Sequence, residues 1–208
     1  IFRTGPAWFT VHLRMTGHLY PAEAGFDRNY VTFCCRLDRG QYLVFRDQRK
    51  FGRVTWMNSL KHLDEKLGPE PLSSEFTEQW LLHQFKSRKR QIKALLLDQA
   101  FIAGLGNIYV DETLWQAKIH PKSISARIGK VRSKLLCIAI QNVLSSAIKY
   151  KGTTINDFSY GNNEKGRFKN ELAVFGRTNK PCPRCSMSIV KISVAQRGTH
   201  YCKECQRL

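Results

Sequence analysis

The most specific chemical signal in the sequence is a set of four cysteines in its last 30 residues. Cys182 and Cys185 form one C-x-x-C pair, and Cys202 and Cys205 form a second pair after 16 intervening residues. Two such pairs present four thiolates on two tight turns, which is the ligand set of a closed tetrahedral zinc site. Two disulfides or a redox pair are the alternative, but they are uncommon in a basic intracellular protein. The spacing therefore predicts one structural Zn²⁺, with no open position for water.

The segment between the two cysteine pairs has the pattern of a β-hairpin. A strand over Ile189–Val194 is followed by a turn at Gln196-Arg197-Gly198 and a strand over Thr199–Tyr201. Because an isolated two-stranded hairpin is marginally stable in water, we expect the metal to supply its folding free energy. The three remaining cysteines lie in apolar patterns, and we expect inert core residues at Cys34, Cys35 and Cys137.

The chain is strongly basic along its whole length. Its 208 residues carry 34 Lys and Arg against 16 Asp and Glu, a formal charge of +18. Residues 1–60, 61–160 and 161–208 contribute +5, +6 and +7, so no single basic tail accounts for the charge. This distribution favours a long polyanion such as nucleic acid over a membrane surface, with a generally solvated basic surface as the alternative. Apolar residues make up 42%, which excludes a mainly disordered chain, and no apolar run approaches the length of a membrane span.

Strands and helices must position the cysteines and the basic residues. Residues 7–57 have the alternation of an antiparallel sandwich, with predicted strands over Trp8–Leu13, Tyr30–Cys35, Gln41–Phe45 and Phe51–Trp56. Residues 60–151 have helical periodicity, with predicted helices from Ser74 to Lys86, Arg88 to Gln99, Ile108 to Lys118, and Ser123 or Ser125 to Lys151. The last helix is expected to bury a stripe formed by Leu135, Leu136, Ile140, Val143, Leu144 and Ile148.

A glycine-rich turn separates the second and third predicted helices. In Gly104-Leu105-Gly106-Asn107 the glycines let the backbone approach a phosphate closely. Asn107 is expected to cap a helix whose N-terminal amides point toward the anion. An ordinary interhelical turn is the alternative.

The turn and the cysteine hairpin together resemble the formamidopyrimidine-DNA glycosylase family, helix–two-turn–helix repair enzymes that include endonuclease VIII. Five further segments match its pattern in order, at 12–17, 47–52, 68–72, 152–158 and 174–177. The resemblance covers essentially the whole chain. It implies an α+β fold with the remainder of an N-terminal β-sandwich at 1–59, a helix–two-turn–helix domain at 60–152, and a lesion-capping loop with a zinc hairpin at 153–208.

The resemblance also implies a function in base-excision repair of oxidised purines, 8-oxoguanine and formamidopyrimidine. The parent protein would combine N-glycosylase (hydrolase) and AP-lyase activities with β,δ-elimination, acting as a monomer on damaged double-stranded DNA in the bacterial cytoplasm. The length of the loop over Ser159–Phe168, with Phe51, favours the purine branch. An endonuclease VIII-like enzyme acting on oxidised pyrimidines, or a non-catalytic damaged-DNA-binding module, is the alternative.

By the same resemblance, individual residues take roles on DNA. Met15, Arg49 and Phe51 would fill the void left by a flipped nucleotide, and their types suit wedging, hydrogen bonding and unstacking. Arg197 would clamp the phosphates at the lesion and assist δ-elimination. The remaining DNA contacts implied are His12, Arg28, Arg88, Lys93, Gly106, Asn107 and Tyr109.

One part of the family pattern has no counterpart in these residues. The family attacks the sugar with an N-terminal proline amine and uses the following glutamate as general acid. Pro69-Glu70 cannot replace them, because an internal proline nitrogen is an amide and not nucleophilic. The sequence therefore predicts a piece of a longer protein that lacks its nucleophile and general acid and is inactive alone.

Overall fold

The computed structural model describes residues 1–61, 65–154 and 166–208. These form two compact units: Ile1–His62 with Tyr150–Lys169, and Leu63–Lys149 with Asn170–Leu208. The zinc-type hairpin therefore shares one unit with the helices. Residues 159–165, most of the predicted lesion-covering loop, lie outside the described residues.

The first unit contains two three-stranded antiparallel sheets, which confirms the predicted β-sandwich class. Its strands are β1 (Phe2–Thr4), β2 (Ala7–His12), β3 (Gly17–Ala22), β4 (Val31–Arg36), β5 (Tyr42–Asp47) and β6 (Arg53–Met57). One sheet has the order β1-β2-β6 and the other β3-β5-β4. The four predicted strands are present with bounds shifted by one or two residues, whereas β1 and β3 were not predicted.

The core of this unit consists of inward-facing residues of the strands, with Phe9, Val44 and Phe45 buried. Neighbouring residues of a strand point to opposite faces, so Cys34 and Cys35 lie on different sides of the sheet. Cys34 is exposed and Cys35 is half-buried. The prediction that Cys34 lies in the core is therefore wrong.

The second unit contains the helices and the hairpin. Its elements are α1 (Glu78–Lys86), α2 (Ile92–Leu96), α3 (Asn107–Gln116), α4 (Lys130–Lys149), β7 (Ile189–Val194) and β8 (Arg197–Cys202). The first helix is capped by Thr77, whose Oγ1 accepts the Trp80 N–H at 3.1 Å, and not by Ser74. The second is much shorter than predicted. Here Gln91 bridges to Ile124, and the buried Ser125 hydroxyl donates to the Arg88 carbonyl.

Helix α4 begins at Lys130, after a separate 3-10 turn at Ser125–Arg127, so neither predicted serine starts it. By length and composition it could cross a membrane, but eight of its residues, including Leu136 and Ile140, are buried inside this unit. It is a core helix. Leu135 and Ile148, predicted to be buried, are 48% and 66% exposed because they lie at the edges of the buried stripe.

Candidate zinc centre and nucleic-acid interface

The four cysteines of the hairpin meet at one point. Their sulfur atoms all lie within 4.8 Å of one another, and all four are free thiols. The Sγ–Sγ distances are 3.4 Å for Cys185–Cys202, 3.5 Å for Cys185–Cys205 and 3.9 Å for Cys182–Cys205. A tetrahedron with Zn–S bonds of about 2.3 Å places its sulfurs about 3.8 Å apart. These residues therefore fit Zn²⁺, which confirms the predicted structural zinc site.

Hydrogen bonds around the Cys182 sulfur favour its thiolate, whereas burial raises the pKa of the Cys202 and Cys205 thiols. Burial alone would raise the pKa of Cys182, but the N–H groups of Arg184, Trp115 and Cys185 lower it to about 6. The second knuckle is held by Gln206, whose Oε1 accepts the Cys202 N–H at 2.9 Å. Its Nε2 donates to the Ile119 carbonyl, also at 2.9 Å, so the knuckle is fixed to the chain that follows α3.

The hairpin places Arg197 at its tip. Ala195 and Gln196 have positive φ values of 51° and 57°, so they form the two-residue turn, one position earlier than predicted. Arg197 pairs with Val194 and begins β8. Its side chain is exposed, as a residue that contacts DNA must be.

Lys93 occupies a different environment from the one predicted. Instead of facing a phosphate it is 0% exposed, and its Nζ lies 2.6 Å from Oδ1 of Asp111, which is equally buried. Burial lowers the pKa of Lys93, although Asp111 opposes that shift. The ammonium also donates to the Gly198 carbonyl at 3.2 Å, directly beside Arg197. Lys93 is therefore a buried support of the hairpin turn, and its assignment as a direct phosphate ligand is wrong in this structure.

Asp111 joins the hairpin to helix α3. Its Oδ2 accepts the backbone N–H of His200 at 2.8 Å, while its Oδ1 accepts from Lys93. The Nδ1 atom of His200 lies 3.5 Å from the same Oδ2. Neither Asp111 nor His200 was singled out from sequence, because nothing in their local spacing indicates that residues 89 positions apart meet.

The glycine turn before α3 also reaches the hairpin. The N-cap residue is Gly106 and not Asn107, which is the first residue of the helix. The Asn107 side chain instead donates from Nδ2 to the Gly198 carbonyl at 3.1 Å. A Cβ on Gly106 would meet no atom within 4 Å, so its backbone is open to a ligand. The Gly198 carbonyl thus holds Lys93 and Asn107 next to the backbone of Arg197.

The two other predicted contacts of the helical region are partly occupied by the protein. Arg88 donates to the Gln84 carbonyl at 3.2 Å, and its guanidinium lies 5.4 Å from the Phe101 ring centroid. Tyr109 is half-buried and packs against the helical core. Both residues keep part of their surface accessible.

In the first unit, the three residues predicted to fill a void in DNA form one cluster. The Arg49 Nη1 lies 3.5 Å from Met15 Sδ, and its guanidinium carbon lies 5.0 Å from the centre of the Phe51 ring. Met15 is 75% exposed and Phe51 is 55% exposed. From residue type alone both could be core residues, and the structure excludes that alternative.

A buried carboxylate holds the two loops that carry this cluster. Asp47 accepts the Thr16 hydroxyl at 2.6 Å, the Arg49 N–H at 3.3 Å and the Gly52 N–H at 2.6 Å. Burial alone would raise the pKa of Asp47, but these hydrogen bonds lower it. A Cβ at Gly52 would collide with the Phe45 ring, so the turn requires glycine. Sequence reasoning did not identify this role of Asp47, although the residue begins one of the matched segments.

The remaining two predicted contacts are exposed groups of the same unit. The His12 Nδ1 accepts the Arg14 N–H at 3.1 Å. The Arg28 guanidinium lies 6.0 Å from the ring centroid of Phe26. Both side chains face solvent, where an anion can reach them.

Comparisons with known protein families agree with this arrangement along the chain. Residues 1–54 match the formamidopyrimidine-DNA glycosylase N-terminal domain, and residues 67–159 match the H2TH domain of the same enzyme. Residues 179–208 match the zinc finger found in FPG and IleRS.

Relatives and solved structures extend the match. Formamidopyrimidine-DNA glycosylase of Chloroflexus aggregans is 45% identical over 95% of this chain and 73% of its own length. The formamidopyrimidine-DNA glycosylase of Roseiflexus is 42% identical over 100% of this chain and 77% of its own length. A Lactococcus lactis FPG variant, solved with Fapy-dG-containing DNA, superposes with a TM-score of 0.88 at 36% identity, covering 97% of this chain and 76% of that one. The structure of MutM in complex with DNA containing carbocyclic 8-oxo-G has a TM-score of 0.88 at 36% sequence identity. The match covers 99% of this chain and 76% of that one. The chain therefore belongs to the formamidopyrimidine-DNA glycosylase family.

Proposed function

We propose that this protein acts in base-excision repair of oxidised purines, 8-oxoguanine and formamidopyrimidine, as a DNA glycosylase and AP lyase. The observation that carries the proposal is the exposed cluster of Met15, Arg49 and Phe51. An arginine between two exposed apolar side chains suits a site that replaces an extruded base, because the apolar groups unstack and the guanidinium hydrogen-bonds. Relatives named formamidopyrimidine-DNA glycosylase, and solved structures that hold Fapy-dG or 8-oxo-G DNA, support the choice of oxidised purines.

We propose that the two units have different roles on DNA. The first fills the void in the duplex and binds phosphates through His12 and Arg28. The second binds phosphates through the Gly106-Asn107 turn, with Arg88 and Tyr109 beside it, and through Arg197. Lys93 acts through the hairpin turn and not by direct contact. Zinc holds the hairpin and takes no part in the chemistry, since four sulfurs leave no open position.

The chemistry of the family requires an amine that attacks the sugar C1′ and an acid that protonates the leaving group. We propose that neither lies among these 208 residues, and that Arg197 contributes by stabilising phosphate charge during strand cleavage. We further propose that the protein works as a monomer on the DNA of the bacterial cytoplasm, since one set of site residues suits one lesion.

Removing the void-filling cluster is expected to abolish discrimination of damaged DNA. The chain should bind a duplex with an abasic-site analogue more tightly than an undamaged duplex. In a variant combining Met15→Ala, Arg49→Ala and Phe51→Ala, the ratio of the two affinities should fall by about 10-fold. Unstacking a base step costs a few kcal/mol, which the cluster offsets. Fluorescence anisotropy with both duplexes measures the ratio of the two affinities.

Ile148→Ala, which also removes an exposed apolar side chain, is the control and should leave the ratio unchanged. Equal ratios for the triple variant and the unmodified chain would contradict the assignment of the cluster.

DNA binding is expected to depend steeply on salt and little on sequence. Six to eight phosphate contacts release enough counterions for a log–log slope of about −5 to −7. Titrations between low and moderate salt on two unrelated duplexes give this slope, and a value near zero would contradict a phosphate-based interface.

The 208-residue chain is expected to form no covalent adduct when borohydride is added to an 8-oxoguanine duplex. Trapping requires a free amine at the sugar C1′, and Lys93 is enclosed against Asp111. A longer chain that adds the family's N-terminal Pro-Glu segment should be trapped. If the 208-residue chain and the longer chain form comparable amounts of adduct, the nucleophile must lie within the 208 residues.

A further inference from the structure

One side chain outside the four cysteines contacts the first zinc knuckle in several ways. Trp115 lies at the C-terminal end of α3, and its indole Nε1–H donates to Cys182 Sγ at 3.4 Å. Arg184, between the two cysteines of that knuckle, places its guanidinium carbon 4.1 Å from the centre of the indole ring. The same arginine donates from Nη1 to the Trp115 carbonyl at 3.0 Å.

The sulfur that receives the indole N–H is a buried metal ligand that benefits from a hydrogen-bond donor. A Zn²⁺ ion with four thiolates carries a net charge of −2, and Cys182 is buried, so water cannot solvate its sulfur. A hydrogen bond to an ionised acceptor is stronger than a neutral one. The Arg184 guanidinium adds a positive charge beside the same knuckle. The indole N–H and this cation therefore both stabilise the anionic site.

Trp115 also connects the knuckle to the apolar core around it. Its ring packs against the buried cluster formed by Val174, Cys182, Ile189 and Cys202. Helix α3 begins at Asn107, which contacts the tip of the same hairpin through Gly198. Helix α3 thus contacts the hairpin at two points. Trp115, near the C-terminal end of the helix, contacts the knuckle, and Asn107, at the N-terminal end, contacts the tip.

A purely apolar role for Trp115 would not use its nitrogen. Trp80 provides the comparison within the same unit, since it packs against the rings of Phe76 and Phe101 at centroid distances of 5.6 and 5.5 Å. Phenylalanine could replace an indole of that kind with little loss. At position 115, phenylalanine would retain the ring and remove the donor to sulfur.

We propose that Trp115 stabilises the zinc centre from outside its four ligands, through an N–H···S hydrogen bond to Cys182 that fixes the first knuckle on α3. Groups that hydrogen-bond a metal ligand typically change metal affinity by about 10- to 100-fold when they are removed. The proposal concerns metal binding alone and does not depend on the proposed repair function.

The first test uses the unmodified chain with ¹¹³Cd in place of zinc. If the hydrogen bond exists, NMR should show a scalar coupling between ¹¹³Cd and the indole Hε1 of one of the four tryptophans. Trp115→Phe identifies that proton by removing its signal. A ¹¹³Cd resonance typical of four sulfurs with no coupled indole proton would overturn the proposal, and this result needs no variant to fold.

The second test compares Trp115→Phe with the matched control Trp80→Phe. By chelator competition, Trp115→Phe should bind zinc about 10-fold more weakly, whereas Trp80→Phe should bind as the unmodified chain does. With Co²⁺ in the site, loss of the N–H donor should move the sulfur-to-metal charge-transfer band to lower energy. Arg184→Met, which leaves the indole in place, should move it less.

Equal zinc affinities and unmoved bands for Trp115→Phe would show that the indole only fills space. Equal weakening by Trp115→Phe and Trp80→Phe would show a general loss of packing. Either outcome overturns the proposal.

Discussion

Lys93→Met is expected to lower the free energy of unfolding of the helical unit by about 3–5 kcal/mol. The substitution keeps the length of the side chain but leaves the Asp111 carboxylate buried without its cation, 2.6 Å away in this structure. It also removes the donor to the Gly198 carbonyl beside Arg197. Urea unfolding followed by circular dichroism measures the loss. DNA affinity should fall with it because, among the described residues, only Asn107 then still donates from its side chain to the Gly198 carbonyl.

Lys134→Met is the matched control for this prediction. Lys134 pairs with Glu78 at 3.9 Å on the surface of the same unit, with 61% of its side chain exposed. Exposed pairs contribute about 0–1 kcal/mol, so this variant should unfold almost as the unmodified chain does. Lys93→Met combined with Asp111→Leu removes both charges and should recover part of the stability; the remaining loss reflects the buried His200 N–H, which then lacks its acceptor. A cost for Lys93→Met no greater than that for Lys134→Met would mean that the buried pair contributes little.

Cys202→Ser is expected to remove zinc and unfold the hairpin while the helices stay folded. Structural zinc in small thiolate sites contributes on the order of 10 kcal/mol or more of apparent binding free energy, and the hairpin has little other core. The zinc content found by metal analysis should fall from one zinc per chain to almost none. The helical signal in circular dichroism should persist, because the cluster around Leu81, Leu114 and Ile140 does not include the knuckles. DNA binding should weaken, since Arg197 loses its position.

Cys34→Ser controls for the loss of a thiol as such. Cys34 is exposed and distant in sequence from the zinc ligands, so this variant should retain one zinc per chain and full DNA affinity. Less than half a zinc in the folded unmodified chain, or a protease-resistant hairpin in Cys202→Ser, would contradict the prediction.

Features that depend on short-range spacing could be predicted from the amino-acid sequence. A C-x-x-C pair places two sulfurs on one tight turn whatever surrounds it, so two pairs were enough to predict the zinc site. Alternation in residues 7–57 located four of the six strands, because the two-residue period follows from the pleat. The order of the matched segments identified the family, since the order of residues along the chain does not depend on packing.

Which charged groups are exposed and which are buried depends on packing that the local sequence does not reveal. The type of Lys93 suits a phosphate contact, but α3 and the hairpin enclose it through bonds to Asp111 and to Gly198, 105 residues away. Periodicity placed Leu135 and Ile148 on a buried stripe that neighbouring elements leave uncovered. The Trp115 bond to Cys182 spans 67 residues and likewise has no local signal. Local spacing determines turns, strands and ligand pairs, whereas burial and long-range hydrogen bonds depend on which elements pack together.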